Sequence, residues 1–307
     1  MGGKFLSIGE CMVELSQAGD GLLRRGFAGD TFNTAWYARA CLPADWSVDY
    51  FTVLGDDPMS DEMLAMMEKA GIGISHIRRI PGKTPGLYLI TLKDGERTFS
   101  YWRDTAAAKK LAADADHLRT AIEAADLIYF SGITLGILAS EAVDTLLSEL
   151  RRAKASGKIV AFDPNIRPRL WPVGEEGKEA MLKTIEAGAR AATLVLPSFD
   201  DEKAHFGDVD IAATIARYHV LGVPTVVVKD GPGGVTLSFD RKVEHVAAVE
   251  AKAAVDTTSA GDSFNGGFLS RLLTGETPAK AATHGAAVAA TVIGHHGALI
   301  DPGLLPR

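Results

Sequence analysis

From residue 104 onward, apolar residues recur at helical spacing and then in short continuous runs, and the two patterns alternate. This alternation predicts helices at 114–124, 139–155, 176–191 and 209–221, each followed by a strand, at Asp126–Phe130, Lys158–Phe162, Thr193–Leu196 and Thr225–Val228. Such alternation is typical of βαβ units and a parallel sheet. We therefore expect ligands to bind beyond the carboxyl ends of the strands.

The N-terminal part predicts the same layers. Its elements are a strand at Phe5–Gly9, a helix with Asp30 or Thr31 as N-cap, a strand at Val48–Leu54, and a helix at Pro58–Ala70 that Gly71 closes.

Residues 84–103 have a different pattern, the alternation of a β-hairpin with its turn at 93–96. Together with the glycine-rich stretch 13–29, this hairpin predicts a small sheet outside the main fold. Such a sheet is either a lid or an edge extension of the main sheet, and we favour the lid.

The C-terminal part predicts an antiparallel pair, Val235–Phe239 and Val243–Val249, and a helix at 277–293. Between them, small and hydroxyl residues lead through Gly261 and Asp262 into helical spacing. A loop that feeds a helix start is an anion site, because the first-turn N–H groups are free and the helix dipole is positive there. Asp262 either accepts a proton from a group attacking a bound phosphate or only caps the helix.

Polar residues also gather where the predicted strands end, at Ser131–Gly132, Asp163–Arg167, Pro197–Glu202 and Lys229–Gly234.

Composition narrows the classes of function. The net charge of −7 and the lack of a long basic run argue against nucleic acid or an anionic membrane as partner. Two cysteines are too few for a disulfide scaffold and suit a reducing compartment. The N-terminus has no signal-peptide pattern, so a cytoplasmic location is expected. The length of 307 residues fits one α/β domain with an appended subdomain.

The run Asp256–Asp262 resembles the signature of the ribokinase-like (PfkB) carbohydrate kinases, which usually have glycine where this chain has Ser259. The order of the motifs extends the resemblance over essentially the whole chain. It implies a single ribokinase-like α/β domain over 1–307, with a central, mostly parallel sheet flanked by helices. A small β-sheet lid would be formed by approximately 13–29 and 84–103.

Within that family, the chain is most similar to the kinases of 2-keto-3-deoxygluconate. Three features carry the likeness: the segment Ala28–Ala35, the segment Asp163–Trp171, and a residue other than glycine at 259. The resemblance implies ATP-dependent phosphorylation of the primary hydroxyl of this sugar acid to the 6-phosphate, with ATP and Mg²⁺ as cofactors.

The resemblance also implies roles for single residues. Asp262 would be the general base, and the backbone N–H groups of Ser259, Ala260, Gly261 and Asp262 would stabilise the developing charge. Arg103 and Arg167 would contact the acid end of the substrate, because a planar guanidinium suits a carboxylate. A surface salt bridge is the alternative for Arg167. The remaining pocket residues implied are Gly29, Asp30, Asn33, Tyr88, Tyr101 and Ile133.

On the nucleotide side, Lys229, Gly231 and Gly234 resemble the family's loop around the ATP phosphates and ribose, although the same residues would make an ordinary turn. Ser198, Gly261 and Ala287 complete the implied ATP site. The family's metal-associated Asn-x-x-Glu is replaced here by Ser198–Asp201 followed by Glu202. Asp201 and Glu202 are therefore the candidates for Mg²⁺.

Three alternatives stay open. The chain is another kinase of the same family, acting on ribose, fructose or another keto-deoxy acid; a sugar-binding relative without the chemistry; or a dinucleotide-binding protein. The lack of Gly-x-Gly-x-x-Gly after the first strand counts against the last. A small-molecule sugar acid and ATP are the expected partners, and the exposed edges of a lid sheet predict a homo-oligomer.

Overall fold

The computed structural model describes residues 2–93, 96–251 and 253–306. The strands, numbered in chain order, are β1 (Lys4–Ile8), β2 (Met12–Gln17), β3 (Leu23–Ala28), β4 (Ser47–Phe51), β5 (Val53–Leu54), β6 (Ile72–Gly73), β7 (Arg78–Arg79), β8 (Leu87–Lys93), β9 (Glu96–Trp102), β10 (Leu127–Ser131), β11 (Ile159–Asp163), β12 (Leu194–Val195), β13 (Thr225–Lys229), β14 (Val235–Phe239) and β15 (Lys242–Val246). The helices are α1 (Asp30–Cys41), α2 (Pro58–Lys69), α3 (Ala115–Ala124), α4 (Gly132–Gly136), α5 (Ser140–Ala155), α6 (Glu175–Ala191), α7 (Phe199–Phe206), α8 (Ile211–Val220), α9 (Ala260–Leu273) and α10 (Pro278–Val292).

The main sheet has nine strands in the order β15-β14-β13-β12-β11-β10-β1-β4-β6. Every neighbouring pair from β13 to β6 is parallel, and the pairs made by β14 are antiparallel. The predicted parallel sheet and its antiparallel end are therefore confirmed. Apolar clusters lie on both faces of the sheet, so all five residues of β10 are buried.

A separate four-stranded sheet has the order β3-β2-β8-β9. The predicted hairpin is present as β8 and β9, which pair antiparallel, and the glycine-rich stretch supplies β2 and β3. Because this sheet shares no strand with the main sheet, the edge-extension alternative is wrong. Asp94 and Gly95 of the predicted turn lie outside the described residues.

Several local predictions differ from the structure. The predicted strand Val48–Leu54 is divided into β4, in the main sheet, and β5, which pairs with β7 in a separate two-stranded sheet. The N-cap of α1 is Gly29, not Asp30 or Thr31. A Cβ on Gly29 would lie 2.1 Å from the carbonyl oxygen of Glu10, so close backbone approach requires glycine there. The sequence patterns also missed α4 and α7, which are too short to show a helical period.

Over the ranges described above, none of the helices combines the length and the apolar character that a bilayer crossing needs.

Candidate active site

The carboxyl ends of the parallel strands β10, β11 and β13 meet at one edge of the main sheet, with Ser131, Asp163 and Lys229 as their last residues. Ser198 joins them through a parallel bridge to Lys229. The start of α9 lies against this edge, since a Cβ placed on Gly261 would lie 3.5 Å from Lys229 Nζ. The structure therefore brings the predicted phosphate loop and the strand-end residues together.

The first turn of α9 provides an anion site. Its N-cap, Ser259, has a left-handed backbone with φ of 65°, a conformation that glycine adopts more easily. The N–H of Ala260 donates to Thr257 O at 3.3 Å, which leaves the N–H groups of Gly261 and Asp262 facing out of the turn. Ser259 Oγ is buried and has no hydrogen-bond partner among the described residues.

Asp262 lies in this first turn, and its side chain is held by a residue of α1, the helix that packs against α9. Asn33 Nδ2, on α1, donates to Asp262 Oδ2 at 2.8 Å. Burial is the main cause that raises the pKa of Asp262 to about 7, and the negative charges of Asp30 and Asp163 add to it; the Asn33 hydrogen bond and the charge of Lys229 act in the opposite direction. A carboxyl group that titrates near neutral pH is suited to general base catalysis.

Lys229 is fixed by a buried network that joins four elements, β10, β11, β13 and α9. Its ammonium donates to Asp163 Oδ2 at 2.7 Å and to Asn265 Oδ1 at 3.2 Å. Asn265 Nδ2 in turn donates to Asp163 Oδ2 at 2.6 Å and to the Tyr129 hydroxyl at 3.1 Å. These hydrogen bonds engage the oxygens nearest the ammonium and hold the Lys229 side chain toward the start of α9.

Asp30 faces the same edge from the first turn of α1. Asn165 Nδ2 donates to Asp30 Oδ2 at 2.9 Å, and the backbone N–H of Asn165 donates to Asp163 Oδ1 at 3.0 Å. Burial raises the pKa of Asp30 although the hydrogen bonds from Ser131 and Asn165 oppose it. The predicted pocket residue Asp30 is thus beside Asp262, where its main effect is electrostatic.

The small sheet contributes the aromatic residues expected for the sugar pocket. Tyr88 and Tyr101 are directly opposite in the pairing of β8 with β9, and their rings stack with centroids 5.8 Å apart. The Tyr88 hydroxyl donates to Glu14. Arg103 lies over the Tyr101 ring and forms a buried ion pair with Glu10. Tyr101 and Arg103 therefore lie on one face, as the sequence predicted.

Arg167 forms a salt bridge, the alternative to its predicted contact with the acid end of the substrate. Its Nη1 donates to Asp201 Oδ2 at 3.2 Å and to Ile166 O at 2.7 Å. The two side chains are 41% and 28% exposed, and a pair this exposed contributes about 0–1 kcal/mol. Arg167 can therefore exchange Asp201 for another carboxylate at small cost.

Glu202 is not brought to the site. Its carboxylate is fully buried, where it accepts hydrogen bonds from Arg217 and from the Tyr218 hydroxyl. Burial raises the pKa of Glu202 to about 7 against the opposing charge of Arg217. Of the two sequence candidates for Mg²⁺, only Asp201 keeps an accessible carboxylate.

Ile133 is on α4, directly beyond the end of β10. A capping box between Ser131 and Thr134 begins this helix, and Thr134 Oγ1 donates to Ile8 O at 3.0 Å. Ile133 packs partly against the main core, at the same edge as Asp163. Its role in the sugar pocket stays a prediction.

Of the predicted nucleotide residues, Gly231 and Gly234 follow β13 and Ala287 lies on α10. Gly231 and Gly234 have positive φ of 48° and 90°, and a Cβ on Gly234 would lie 2.3 Å from Val246 O. The turn therefore favours glycine at 231 and requires it at 234, whichever molecule binds there. Ala287 is half-buried on α10, a helix rich in small residues.

The structure adds residues that sequence reasoning missed, above all Asn265 and Glu10. Asn265 follows Asp262 by three positions, so both lie on the same face of α9, and this spacing was the available signal. Glu10 follows the end of β1, where the strand-end rule would have placed it. Burial raises the pKa of Glu10, and its Oε1 has no hydrogen-bond partner among the described residues.

A family model described as pfkB family carbohydrate kinase matches residues 3–302. The 2-dehydro-3-deoxygluconokinase of Dickeya dadantii (strain 3937) is 41% identical over 306 residues, which cover 97% of each protein. The 2-dehydro-3-deoxygluconokinase of Escherichia coli (strain K12) is 40% identical over 313 residues and covers all of both. The structure of a fructokinase with bound ATP from Xylella fastidiosa superposes with a TM-score of 0.83 at 24% identity, covering 99% of this chain and 95% of that one. These matches span nearly the whole chain and agree with the ribokinase-like fold.

Proposed function

The chain belongs to the PfkB family of carbohydrate kinases, and from this premise we propose that it transfers a phosphoryl group from ATP to the primary hydroxyl of 2-keto-3-deoxygluconate, giving the 6-phosphate. Full-length similarity to 2-dehydro-3-deoxygluconokinases supports this substrate. The observation that carries the chemistry is the position of Asp262, a carboxyl group with a pKa of about 7 at the start of α9.

Asp262 acts as the general base in this proposal. Asn33 holds the carboxylate by its 2.8 Å hydrogen bond, so that the other oxygen is directed at the substrate. That oxygen accepts the proton of the primary hydroxyl as the hydroxyl oxygen attacks phosphorus.

The charge that develops on the phosphoryl oxygens is met by groups that are already in place. The N–H groups of Gly261 and Asp262 point out of the first turn, and Lys229 adds a cation held by Asp163 and Asn265. Because these donors do not have to reorient during the reaction, their stabilisation is available in the transition state.

The residues present fit ATP and Mg²⁺. The unpartnered Ser259 Oγ, the cation of Lys229 and the glycine turn at 231–234 suit the phosphates of a nucleotide. ATP, when bound, supplies the phosphoryl group, and Mg²⁺ offsets the charge of its phosphates. Within the described residues, no group of three or more His, Cys, Asp or Glu side chains could hold a metal. Mg²⁺ held mainly by the nucleotide, with Asp201 as a contact through water, is consistent with that.

The four-stranded sheet serves as the lid of the single domain. Its residues Tyr101 and Arg103 line the cavity beside this sheet, and Tyr88 stacks on Tyr101. Closing over the sugar would exclude water that competes for the phosphoryl group. Leu22, Leu23 and Trp102 of this region are exposed apolar residues, which supports a homo-oligomer that covers part of the sheet. A cytoplasmic location stays a prediction.

The test is a panel of sugars assayed for ADP release. We expect the highest kcat/KM with 2-keto-3-deoxygluconate and lower values with other keto-deoxy acids, ribose and fructose, with ³¹P NMR showing a 6-phosphate. The Asp262→Asn variant, purified in the same way, controls for contaminating kinases. ADP release with ribose or fructose but with no keto-deoxy acid would assign the chain to another substrate of the family, and sugar binding without ADP release would make it a binding protein.

A further inference from the structure

The loop that follows β11 carries two arginines, and they differ in their partners. Arg167 is paired with Asp201, as described above. Arg169 lies with its guanidinium carbon 4.1 Å from the centroid of the Tyr101 ring, and its Nη2 donates to the Tyr101 hydroxyl. Within the described residues, Arg169 has no carboxylate partner, so its charge is uncompensated by a direct ion pair.

A second arginine, Arg103, also lies beside the Tyr101 ring, but its charge is compensated by a carboxylate. Arg103 has its guanidinium carbon 5.8 Å from the Tyr101 centroid and forms an ion pair with Glu10, whose side chain is 1% exposed. A buried ion pair of this kind is costly to break, because the carboxylate would be left without its partner. Arg103 therefore offers donors to a ligand but little net charge.

These two arginines line one cavity of about 190 Å³ between the small sheet, the loop after β11 and the end of α4. Lys109 and Asp104 also line it. With Arg103 balanced by Glu10, the cavity wall keeps two cations, Arg169 and Lys109, against one carboxylate, Asp104. The net positive charge favours an anion.

A chain of direct contacts connects this cavity to the reacting end of the site. Asn33 contacts Asp262, and the backbone N–H of Gly29 donates to Asn33 Oδ1 at 3.3 Å. Gly29 packs on the backbone of Glu10, which holds Arg103 at the cavity wall. The cavity shares Tyr101 and Arg103 with the proposed sugar pocket, and these contacts connect its wall to the residue that holds Asp262.

We propose that Arg169 binds the carboxylate of the sugar acid in this cavity, together with Arg103, and is the residue that selects an acid over a neutral sugar. This inference rests on the proposed function and names the group that recognises the acid end. A guanidinium stacked on Tyr101 keeps its remaining N–H groups in one plane, which matches the two oxygens of a carboxylate. A neutral sugar leaves the cation of Arg169 without a counter-ion as the lid closes, and so binds less well.

The experiment compares Arg169→Gln and Arg169→Lys with the wild type. Steady-state kinetics are measured with 2-keto-3-deoxygluconate, with ATP, and with fructose as a neutral 2-ketose, and the dissociation constants of both sugars are measured by calorimetry without ATP. Arg151→Gln, which removes an exposed arginine from α5, is the matched control. Thermal melting verifies that each variant is folded.

For Arg169→Gln we expect KM and Kd for the sugar acid to rise roughly 10- to 100-fold, the range for a hydrogen bond to a charged group. The values for ATP and for fructose should change less than about 3-fold. The KM and Kd of Arg169→Lys for the sugar acid should lie between those of the wild type and of Arg169→Gln, because lysine keeps the charge but lacks the planar pair of N–H donors. Equal losses for the acid and for fructose would reduce Arg169 to a lid contact and overturn the inference. A wild type that prefers neutral sugars would overturn both the inference and the proposed function, whereas an acid-selective wild type with an acid-selective Arg169→Gln variant would overturn the inference alone.

Discussion

Near the start of α9 the charged side chains of Asp163 and Lys229 are buried and held in one hydrogen-bond network, whereas the arginines of the loop after β11 are more exposed. Asp163 and Lys229 have side chains 6% and 13% exposed, and Asn265 joins them. Arg167 is 41% exposed and contacts a single carboxylate. The two ends of the proposed cleft therefore differ in how firmly their charged side chains are held.

The difference follows from what each end has to do. Proton acceptance and charge stabilisation require atoms fixed at the reacting centre, so the networks around Asp262 and Lys229 connect α1, β11, β13 and α9. Selecting an acid requires only that one cation lacks a partner until the substrate arrives. The acid end can therefore tolerate exposed side chains, and its selectivity depends on Arg169 more than on the number of arginines.

The largest effect is expected from the Asp262→Asn variant, which tests whether the reacting end performs the chemistry. The amide keeps the shape and can still accept the Asn33 hydrogen bond, but it cannot take a proton, so kcat should fall roughly 10²- to 10⁴-fold. In the wild type, activity should rise with pH through about 7, because Asp262 must lose its proton to act. That limb should be lost in the variant.

Steady-state kinetics across pH 5 to 9, an interval of about two units either side of the pKa of a general base, would measure both effects. Asp144→Asn, at an exposed position of α5, is the control for the chemical change. Turnover within about 3-fold of the wild type would remove Asp262 from the mechanism.

A smaller effect is expected when the cation at this end is removed. Lys229→Met should lower kcat roughly 10- to 100-fold, the range for a charged hydrogen bond. Since the charge of Lys229 lowers the pKa of Asp262, its loss should move the acid limb of the pH profile to higher pH. Lys229→Arg keeps the charge and should leave that limb in place.

A loss of activity in Lys229→Met with an unmoved limb would mean that Lys229 is only structural. Lys183→Met, which removes an exposed lysine from α6, is the control for the change in side chain.

The fold was largely predictable from the sequence, because its amphipathic helices and apolar strands have local periods. The anion site was predictable for the same reason, since Gly261 and Asp262 stand at a helix start. The hydrogen-bonded pairs that fix the site were not predictable, because their members are distant in the sequence. Asn33 and Asp262 are 229 positions apart, and Asn265 and Asp163 are 102 positions apart. The partners of Arg167 and Arg169 were equally hidden, since no local pattern distinguishes an arginine with a counter-ion from one without.

The smallest expected effect concerns stability, and it tests whether the reacting end is strained for its function. The pKa of Asp262 is raised to about 7 in the folded protein, above its ordinary value of 3.8, so the folded state holds this proton more tightly than the unfolded chain does. Wild-type stability should therefore decline as the pH rises from about 4 to about 7 and change no further above that, as far as this group is concerned.

Asp262→Asn, which carries no charge at any pH, should melt roughly 2 °C or more above the wild type at pH 8, and the gap should close toward pH 4. Thermal melts of both proteins at matched ionic strength measure it, with Asp144→Asn as reference. If the gap is absent at pH 8, or is the same at both pH values, the carboxylate is not held at an energetic cost. The contrast between a strained reacting end and an adaptable acid end would then be lost, and the slow turnover of the variant would have to come from chemistry alone.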